Sequence, residues 1–185
     1  MARTAFKGTN LLISIGIPGA IAASATLGVA PLVGGFDLIS SIANEPTALL
    51  YLPTSKNSDL YKTKSCERHL FNGGTETGDY FEQDEAIQGS IEAMIVRSVA
   101  KDSLYDAAIE LLMKAAHTSN QDLYIKLESW LGLESTTLGH AYHVRAAICK
   151  VSSDGMPFAS DSKAIMKTFK LEGNGNFIEG YQYKL

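Results

Sequence analysis

The chain has 185 residues, which fits one domain or one domain with a long excursion. Its hydrophobic fraction of 45% can fill an ordinary core, and its formal net charge of −4 argues against a protein that binds nucleic acid tightly. An acidic wall past which nucleic acid slides is compatible with this charge. The two cysteines, Cys66 and Cys149, lack the density of a disulfide scaffold and the spacing of a zinc site, so we expect two unbridged thiols.

The N-terminal segment is uncharged from Gly8 to Phe36 and follows Arg3 and Lys7. A basic start, an apolar stretch and Ala-Ser-Ala at 23–25 resemble a signal peptide, and the length would allow a membrane span. Repeated glycines and prolines leave no uninterrupted helix of spanning length. We therefore expect a segment that is retained, with a short strand from Asn10 to Ile17 and a Gly/Ala-rich contact loop or arm over residues 16–35.

A long uncharged loop is an aggregation hazard unless a partner covers it. This segment therefore predicts a subunit-contact surface, with membrane contact over residues 11–33 as the alternative. The candidate contact residues share a large apolar side chain and are Ile17, Ile21, Leu27, Val29, Leu32 and Val33.

The next segment changes from apolar to polar. Residues Thr47 to Leu52 read as a strand that ends at Pro53, and residues 54–86 read as a long polar loop with the turn sequences Asn72-Gly-Gly and Thr77-Gly-Asp. Loops of this length tend to be functional. An acidic run closes the segment, and the spacing of a calcium-binding loop is absent from it, so we interpret it as solvated.

From Ile87 onward the pattern is that of strands around one helix. Ile87, Gly89, Ile91, Ala93 and Ile95 fall on one face of a predicted strand. Further strands are predicted at Leu123 to Leu127, Tyr142 to Ile148, Ile165 to Leu171 and Phe177 to Leu185. Turns are predicted at Leu131 to Gly139, at Ser152 to Gly155 and, as a tight hairpin, at Gly173 to Gly175. The predicted fold class is mainly β with one flanking α-helix, in a β-sandwich or barrel.

The predicted helix runs from Ser103 to Ala116. Ser103 is a good N-cap, and Asp106 completes an acidic variant of the capping box. An apolar stripe at the helical period predicts that one face packs on the sheet, through Leu104, Ala108, Leu111 and Leu112.

No catalytic, cofactor or metal site is predicted. His140 and His143 are three apart on a strand and point to opposite faces, so zinc would also need Cys66 and His69 from a distant loop. No nucleophile elbow, P-loop or H-E-x-x-H occurs, and Gly173-x-Gly175 lacks the third glycine of a dinucleotide site. Nothing fixes the geometry of a Ser/His/Asp triad, so a small enzyme of unknown class is only a third hypothesis. The scattered aromatic residues favour core or interface over base stacking, and the residues together favour a protein that works by shape and association.

The order of elements resembles the major tail tube proteins of long-tailed bacteriophages. The resemblance is carried by Ile87-Gln-Gly-Ser-Ile91, the helix, Leu123-Tyr-Ile-Lys-Leu127, His143 to Ser153 and Ala164 to Gly175. The opening Lys7-Gly-Thr-Asn-Leu-Leu-Ile13 is similar to the N-terminal strand of that family. The Gly/Ala-rich segment departs from the pattern.

This resemblance implies a single tail-tube-like domain and no catalytic residues. It implies subunits that form stacked rings, hexameric in that family, whose sheets join side by side around a conduit for genome ejection. The helix would lie outside the lumen wall, and the long loop and N-terminal arm would reach the next ring. The expected partners are copies of the chain and, in a contractile tail, sheath, terminator or baseplate proteins, while DNA passes without specific binding. The expected location is the virion tail, assembled in the host cytoplasm; the alternative is a membrane-associated subunit of a secretion or pilus apparatus.

Overall fold

A computed structural model describes residues 11–18, 24–29, 32–52, 58–70, 78–95, 114–155, 165–173 and 177–184. The strands in these ranges are β1 (Leu11–Gly16), β2 (Ser24–Leu27), β3 (Ile39–Ala43), β4 (Leu50–Leu52), β5 (Asp59–Leu70), β6 (Gly78–Ile95), β7 (Leu123–Ser135), β8 (Gly139–Gly155), β9 (Ile165–Gly173) and β10 (Ile178–Lys184). Residues 114–119 are helical and are called α1. The predicted fold class is thereby confirmed.

One antiparallel sheet carries most of the chain, in the order β4-β1-β7-β8-β9-β6-β5. The long strand β8 serves two regions. Its first part, up to Cys149, pairs with β7 and β10. We call β4, β1, β7, this part of β8 and β10 the body sheet. Its last part, from Lys150 to Gly155, pairs with β9, and we call this part together with β9, β6 and β5 the arm sheet. The chain therefore forms two sheet regions that share one strand.

The main core lies between the two regions. Alternate residues of each strand point into it, as the period of two requires. Ile13, Ile125 and Cys149 come from the body sheet, whereas Ile91 and Phe169 come from the arm sheet, and all five are buried. The apolar alternation along β6, β7 and β9 therefore corresponds to one shared interior.

The body sheet is also covered on its other face. The hairpin of β2 and β3 packs there, with Ile39 and Ile42 against Tyr124, Val144 and Ile178. The side chains of β7 are consequently buried on both faces over its first six residues. A strand buried on both sides loses the clean alternation of a half-exposed one.

The helix ends differently from the prediction. It continues to Ser119, three residues beyond Ala116, and stops because Asn120 adopts a left-handed conformation with φ of 54°. Gln121 N–H donates to the Ala116 carbonyl at 3.1 Å, which is the closing bond of a Schellman cap. Ala116 is fully buried in the main core. The predicted start and the packing residues Leu104, Ala108, Leu111 and Leu112 lie outside the described residues.

The predicted polar loop over residues 54–86 is wrong for the part that the structure describes. Asp59–Leu70 and Gly78–Ile95 pair as a long antiparallel ribbon. Among the described strands, its far half has no third partner, because β9 pairs with β6 only from Ile87 onward. A ribbon without a core to face carries no apolar alternation in its sequence.

Three predicted turns are also wrong or displaced. Strand β7 continues through a bulge to Ser135, so only 136–138 form the turn before β8. Ser152 to Gly155 belong to β8, where a bulge lies between Val151 and Ser153. Polar bulge residues resemble turn residues in sequence because both tolerate irregular backbone.

The predicted hairpin at Gly173 to Gly175 does not reverse the chain. Strands β9 and β10 both run antiparallel to β8, with Glu172 opposite Lys150 and Ile178 opposite Ala146. Gly173 has a different role: an added Cβ would lie 2.6 Å from the Ile148 carbonyl oxygen. The glycine permits close approach of two strands, and residues 174–176 lie outside the described ranges.

The N-terminal predictions are met in part. Strand β1 lies within the predicted Asn10 to Ile17, and β4 occupies only the last three residues of the predicted Thr47 to Leu52. Residues 16–35 are not wholly a loop, because Ser24–Leu27 pair with Ile39–Ala43 in a small separate sheet.

Candidate assembly interface

The arm sheet is built on a continuous row of paired residues. Leu60 lies opposite Gly89, Gly89 opposite Leu171, and Leu171 opposite Val151. Leu60, Leu171 and Val151 are buried in the main core. Gly89 leaves room for β5, since an added Cβ would lie 2.6 Å from the Asp59 carbonyl oxygen. The inner face of this sheet is therefore fixed by packing.

The outer face of the arm sheet is polar. Tyr61 donates to the side chain of Gln88 at 3.5 Å, and Thr63 Oγ1 donates to the Ala86 carbonyl at 3.1 Å. Acidic and basic side chains alternate on this face. By register and alternation its members are Tyr61, Thr63, Gln88, Ser90, Glu92, Lys150, Thr168, Lys170 and Glu172. Such a surface suits contact with water rather than with a second apolar layer.

Both outer edges of the arm sheet are open within the part of the chain that the structure describes. Strand β5 pairs only with β6, and β8 has no partner opposite β9 beyond Cys149. Open edges present unpaired N–H and C=O groups and act as templates for strand addition. The arm sheet can therefore accept one strand on each side.

On each open edge, one carbonyl accepts a hydrogen bond from a side chain that lies outside the arm sheet. Arg145 Nη1 donates to the Leu60 carbonyl of β5 at 3.3 Å. His117 Nδ1, from α1, lies 2.9 Å from the Val151 carbonyl of β8, so this nitrogen carries the proton and donates. We call these two contacts the edge caps. Sequence reasoning missed both residues, because neither stands in a recognisable motif.

Arg145 is also the centre of an ion cluster at the seam between the two regions. It contacts Glu179 of β10 through Nε and Asp59 of β5 through Nη1, each at 2.8 Å. His143 lies 3.2 Å from the same Glu179 and stacks on Phe36 with ring centroids 4.1 Å apart. Burial, and then the nearby Arg145, lower the pKa of His143 despite the opposing effect of Glu179. The seam thus favours neutral histidine beside a charged arginine.

The base of the ribbon carries a second, exposed ion cluster. Glu85 on β6 pairs with Lys62 and with Lys64 on β5, the latter at 3.1 Å. Hydrogen bonds from both lysines lower the pKa of Glu85. The acidic run predicted as solvated is therefore partly a strand, and Glu85 has partners on the neighbouring strand.

Charged side chains are buried on the face of the body sheet that points away from the main core. Lys126 contacts Glu45 at 2.6 Å and Glu128 at 3.0 Å, while Lys184 contacts Glu128 at 2.5 Å. The side chain of Glu128 is 1% exposed and that of Lys126 is 5% exposed. The contacts with Glu45 and Glu128 outweigh burial and raise the pKa of Lys126. A cleft of about 550 Å³ opens beside this group, with the buried Ser14 hydroxyl in its wall.

The predicted contact residues fall into different environments. Four are exposed at their side chains, Val29 most of all, with Ile17, Leu27 and Leu32 each more than half exposed. Val33 instead bridges to Phe36 and packs beside Tyr181 and Leu131. Ile21 lies outside the described residues. That the four exposed residues form a subunit-contact surface stays a prediction.

The described ranges hold no candidate metal site. They contain no group of three or more His, Cys, Asp or Glu side chains placed to hold a metal ion. No helix in the same ranges is long and apolar enough to cross a membrane. Cys149 is a buried free thiol whose pKa is raised to about 12, mainly by burial.

Comparison with known proteins gives a likeness of fold. No known protein family matches the sequence, and no curated protein is similar to it. A chain in the six-fold symmetrised cryo-EM structure of the anti-feeding prophage (AFP) baseplate is 10% identical, with a TM-score of 0.53 over 96% of this chain and 97% of that one. The fold is that of a protein in a phage-like baseplate. A subunit of the SPP1 tail tube is 15% identical, with a TM-score of 0.49 over 78% of this chain and 74% of that one.

Proposed function

We propose that this protein is a structural subunit of a bacteriophage tail tube or a related injection machine, and that it assembles with copies of itself. The observation that carries the proposal is the arm sheet, which is open at both edges among the described strands. The fold shared with a protein of the AFP baseplate supports it. So does the order of elements from Ile87 to Gly175, which resembles the tail tube family.

The directions of the edge strands favour side-by-side joining. Strand β8 is antiparallel to β9, β9 to β6, and β6 to β5. Three reversals make β5 and the last part of β8 run in opposite directions. Copies related by rotation about one axis then place β5 of each beside β8 of the next in antiparallel pairing, and the sheet continues around a closed ring without an exposed edge.

The polar outer face of the arm sheet is the proposed lining of the ring. It carries Lys150 and Lys170 against Glu92 and Glu172, so it offers no basic stripe to DNA. A net charge of −4 fits a conduit through which the genome passes without specific binding. We further propose that the rings are hexameric, that they stack into a tube and that the genome leaves through this tube.

Ring stacking is assigned to the far half of the β5–β6 ribbon and to the exposed apolar residues near the N-terminus. Leu27, Val29 and Leu32 need a partner to cover them. Sheath, terminator or baseplate proteins would meet the ends of such a stack. The proposed location is the virion tail, after assembly in the host cytoplasm.

The first test is electron microscopy of the purified protein. We expect rings or tubes roughly 100 Å wide, the order of size for closed rings of a domain this large. A protein that stays monomeric at high concentration contradicts the proposal.

A matched pair of variants tests the β5 edge. Leu60 N–H is satisfied by the Asp59 side chain and its carbonyl by Arg145, so the backbone of Leu60 faces the open edge, and alternation turns Lys62 the same way. Lys62→Pro removes a donor from that edge and leaves the bonds to β6 intact, whereas Lys62→Ala removes only the side chain. We expect folded monomers from K62P and normal assembly from K62A. Normal assembly of K62P would show that β5 is not in the joint.

A further inference from the structure

The segment over residues 33–39 passes around the edge of the body sheet, and we call it the strap. Leu38 packs in one apolar cluster with Tyr181 of β10. The next residue, Ile39, packs in a different cluster with Ile178 of the same strand. Alternation turns Tyr181 and Ile178 to opposite faces of β10. The strap therefore crosses from one face of the body sheet to the other over the edge that β10 turns away from β8.

The strap binds this edge through its backbone. Leu38 and Tyr181 form a parallel bridge, and Tyr181 N–H donates to the Asp37 carbonyl at 2.9 Å. Alternate residues of a strand turn their backbone groups to the same side, so Glu179, Tyr181 and Tyr183 share the outer edge of β10. The strap occupies the middle one of these three positions.

Glycines shape the strap where it turns and permit its contact with β10. Val33 and Phe36 exchange backbone hydrogen bonds at 3.2 and 3.0 Å. Between them, Gly34 and Gly35 have φ of 62° and 88°, and a tight type I′ turn requires positive φ at both central residues. On β10, a Cβ added to Gly180 would lie 2.6 Å from a strap carbonyl oxygen. The close contact of the strap with β10 therefore depends on a glycine.

Without the strap, β10 would be an edge suited to strand addition. Its sequence, Ile-Glu-Gly-Tyr-Gln-Tyr-Lys, is rich in strand-forming residues, lacks proline and balances one acidic residue with one basic residue. Apart from the bridge to the strap, β10 pairs only with β8 among the described strands. At the opposite end of the body sheet β4 has only three residues, and Pro53 follows it in the sequence. Short edge strands and prolines also hinder strand addition.

We propose that the strap is an edge guard, which keeps β10 closed to the β10 of a second copy. Two uncovered copies would pair these edges about a two-fold axis, because an antiparallel strand pair presents the same surface from both sides. That dimer would compete with the joint between β5 and β8. By keeping β10 closed, the strap directs copies to the arm sheet, a consequence that rests on the proposed function.

Hydrogen exchange of single amides tests whether the strap covers the edge as a separate unit. Gly35→Ala places a side chain at a strained φ, although nothing lies within 4 Å of the new Cβ. Gly132→Ala is the matched control, with φ of 71° and equally open space in the bulge of β7. We expect Tyr181 N–H to exchange roughly 5- to 30-fold faster in G35A and at the wild-type rate in G132A.

Gln182 N–H serves as an internal reference, because alternation turns it toward β8. Its rate should stay unchanged in both variants. If Tyr181 keeps its rate in G35A, or if Gln182 accelerates with it, the strap does not open as a separate unit and the proposal is overturned.

Association of an open-strap chain tests the guard itself. All variants carry Lys62→Pro, which blocks the proposed joint at β5. Leu38→Asp is added to G35A, because a carboxylate replaces the side chain that packs with the Tyr181 cluster. In analytical ultracentrifugation we expect K62P to be monomeric and K62P/G35A/L38D to dimerise. The control K62P/G132A/L138D receives the same changes at an exposed leucine outside the strap and should stay monomeric.

A second pair of variants locates the new contact. Tyr183→Pro removes an outward donor from β10 and leaves its bonds to β8, whereas Tyr183→Ala removes only the side chain. We expect Y183P to return the open-strap chain to monomers and Y183A to leave the dimer in place. Dimers that survive Y183P form through another surface and contradict the guard.

The remaining outcomes separate the guard from the proposed function. A folded open-strap chain that stays monomeric overturns the guard and leaves the proposed function standing. Rings formed by K62P alone contradict the proposed joint, and the exchange rate of Tyr181 in G35A then decides whether the strap guards β10. The same rates decide if the open-strap chain does not fold.

Discussion

The body sheet and the arm sheet share strand β8 but differ in what surrounds them. The body sheet is covered on both faces, by the main core on one side and by the β2–β3 hairpin on the other. The arm sheet buries one face and, in the described ranges, presents a polar face and two open edges. One chain therefore combines a sheet that is closed on both faces with a sheet that has one uncovered face.

The largest effect is expected in the body sheet, from Glu128→Ala. This change leaves Lys126, which is buried, and Lys184 without the carboxylate that both contact. Breaking a buried ion pair from one side costs about 3–5 kcal/mol, which we expect to measure as a loss of unfolding free energy in denaturant titrations. Glu134→Ala, an exposed position on the same strand, is the matched control. Equal stability of the two variants would mean that the buried cluster is not a stabilising feature.

An intermediate effect is expected in the arm sheet, from Gly89→Ala. The new Cβ would meet the Asp59 carbonyl oxygen at 2.6 Å, so β5 must move away from β6. Overpacking of this kind costs about 1–3 kcal/mol, and we expect assembly to fail before the fold does. Ser90→Ala, the next residue on β6, serves as control. Assembly of G89A at the wild-type level would show that the position of β5 does not matter to the joint.

A smaller effect is expected at the seam, as a dependence of stability on pH. The pKa of His143 is lower in the folded protein than in the unfolded chain, so the unfolded chain binds more protons between the two values. Stability should therefore fall as pH drops below about 6.5 and level off below the folded pKa, by at most about 1.4 kcal/mol per pH unit.

His143→Gln should flatten that part of the profile, measured by melting temperature between pH 7.5 and 5. His140→Gln, on the same strand and more exposed, should leave it unchanged. A slope that persists in H143Q would assign the pH dependence to other groups.

The smallest effect is expected from Glu85→Gln at the ribbon base. Glu85 is exposed, and its ion pairs with Lys62 and Lys64 lie at the protein surface. Exposed ion pairs contribute little to stability, so we expect no measurable change in melting temperature. A large drop would mean that the ribbon depends on this cluster.

The same contrast explains what the sequence allowed us to predict. The alternation at Ile87, Ile91, Leu123 and Ile125 correctly located the strands that face the core, because burial on one side leaves a period of two. Strand β5 was missed because only Leu60 of its start points into the core, while its outer positions are polar.

The candidate interface was harder to predict than the fold. The edge caps join His117 to Val151, 34 residues apart in the sequence, and Arg145 to Leu60, 85 residues apart. No local period or motif encodes such pairs. The exposed apolar residues were visible as an uncharged segment, and their contact with a second molecule stays a prediction.

The lysines beside the open edge have a consequence for the free subunit. Lys62 and Lys64 lie on β5, the last strand of the arm sheet, where charged side chains hinder strand addition by unrelated edges. An edge that is charged and interrupted by a side-chain cap is a poor seed for amyloid-like stacking. We therefore expect the free subunit to resist aggregation through this edge.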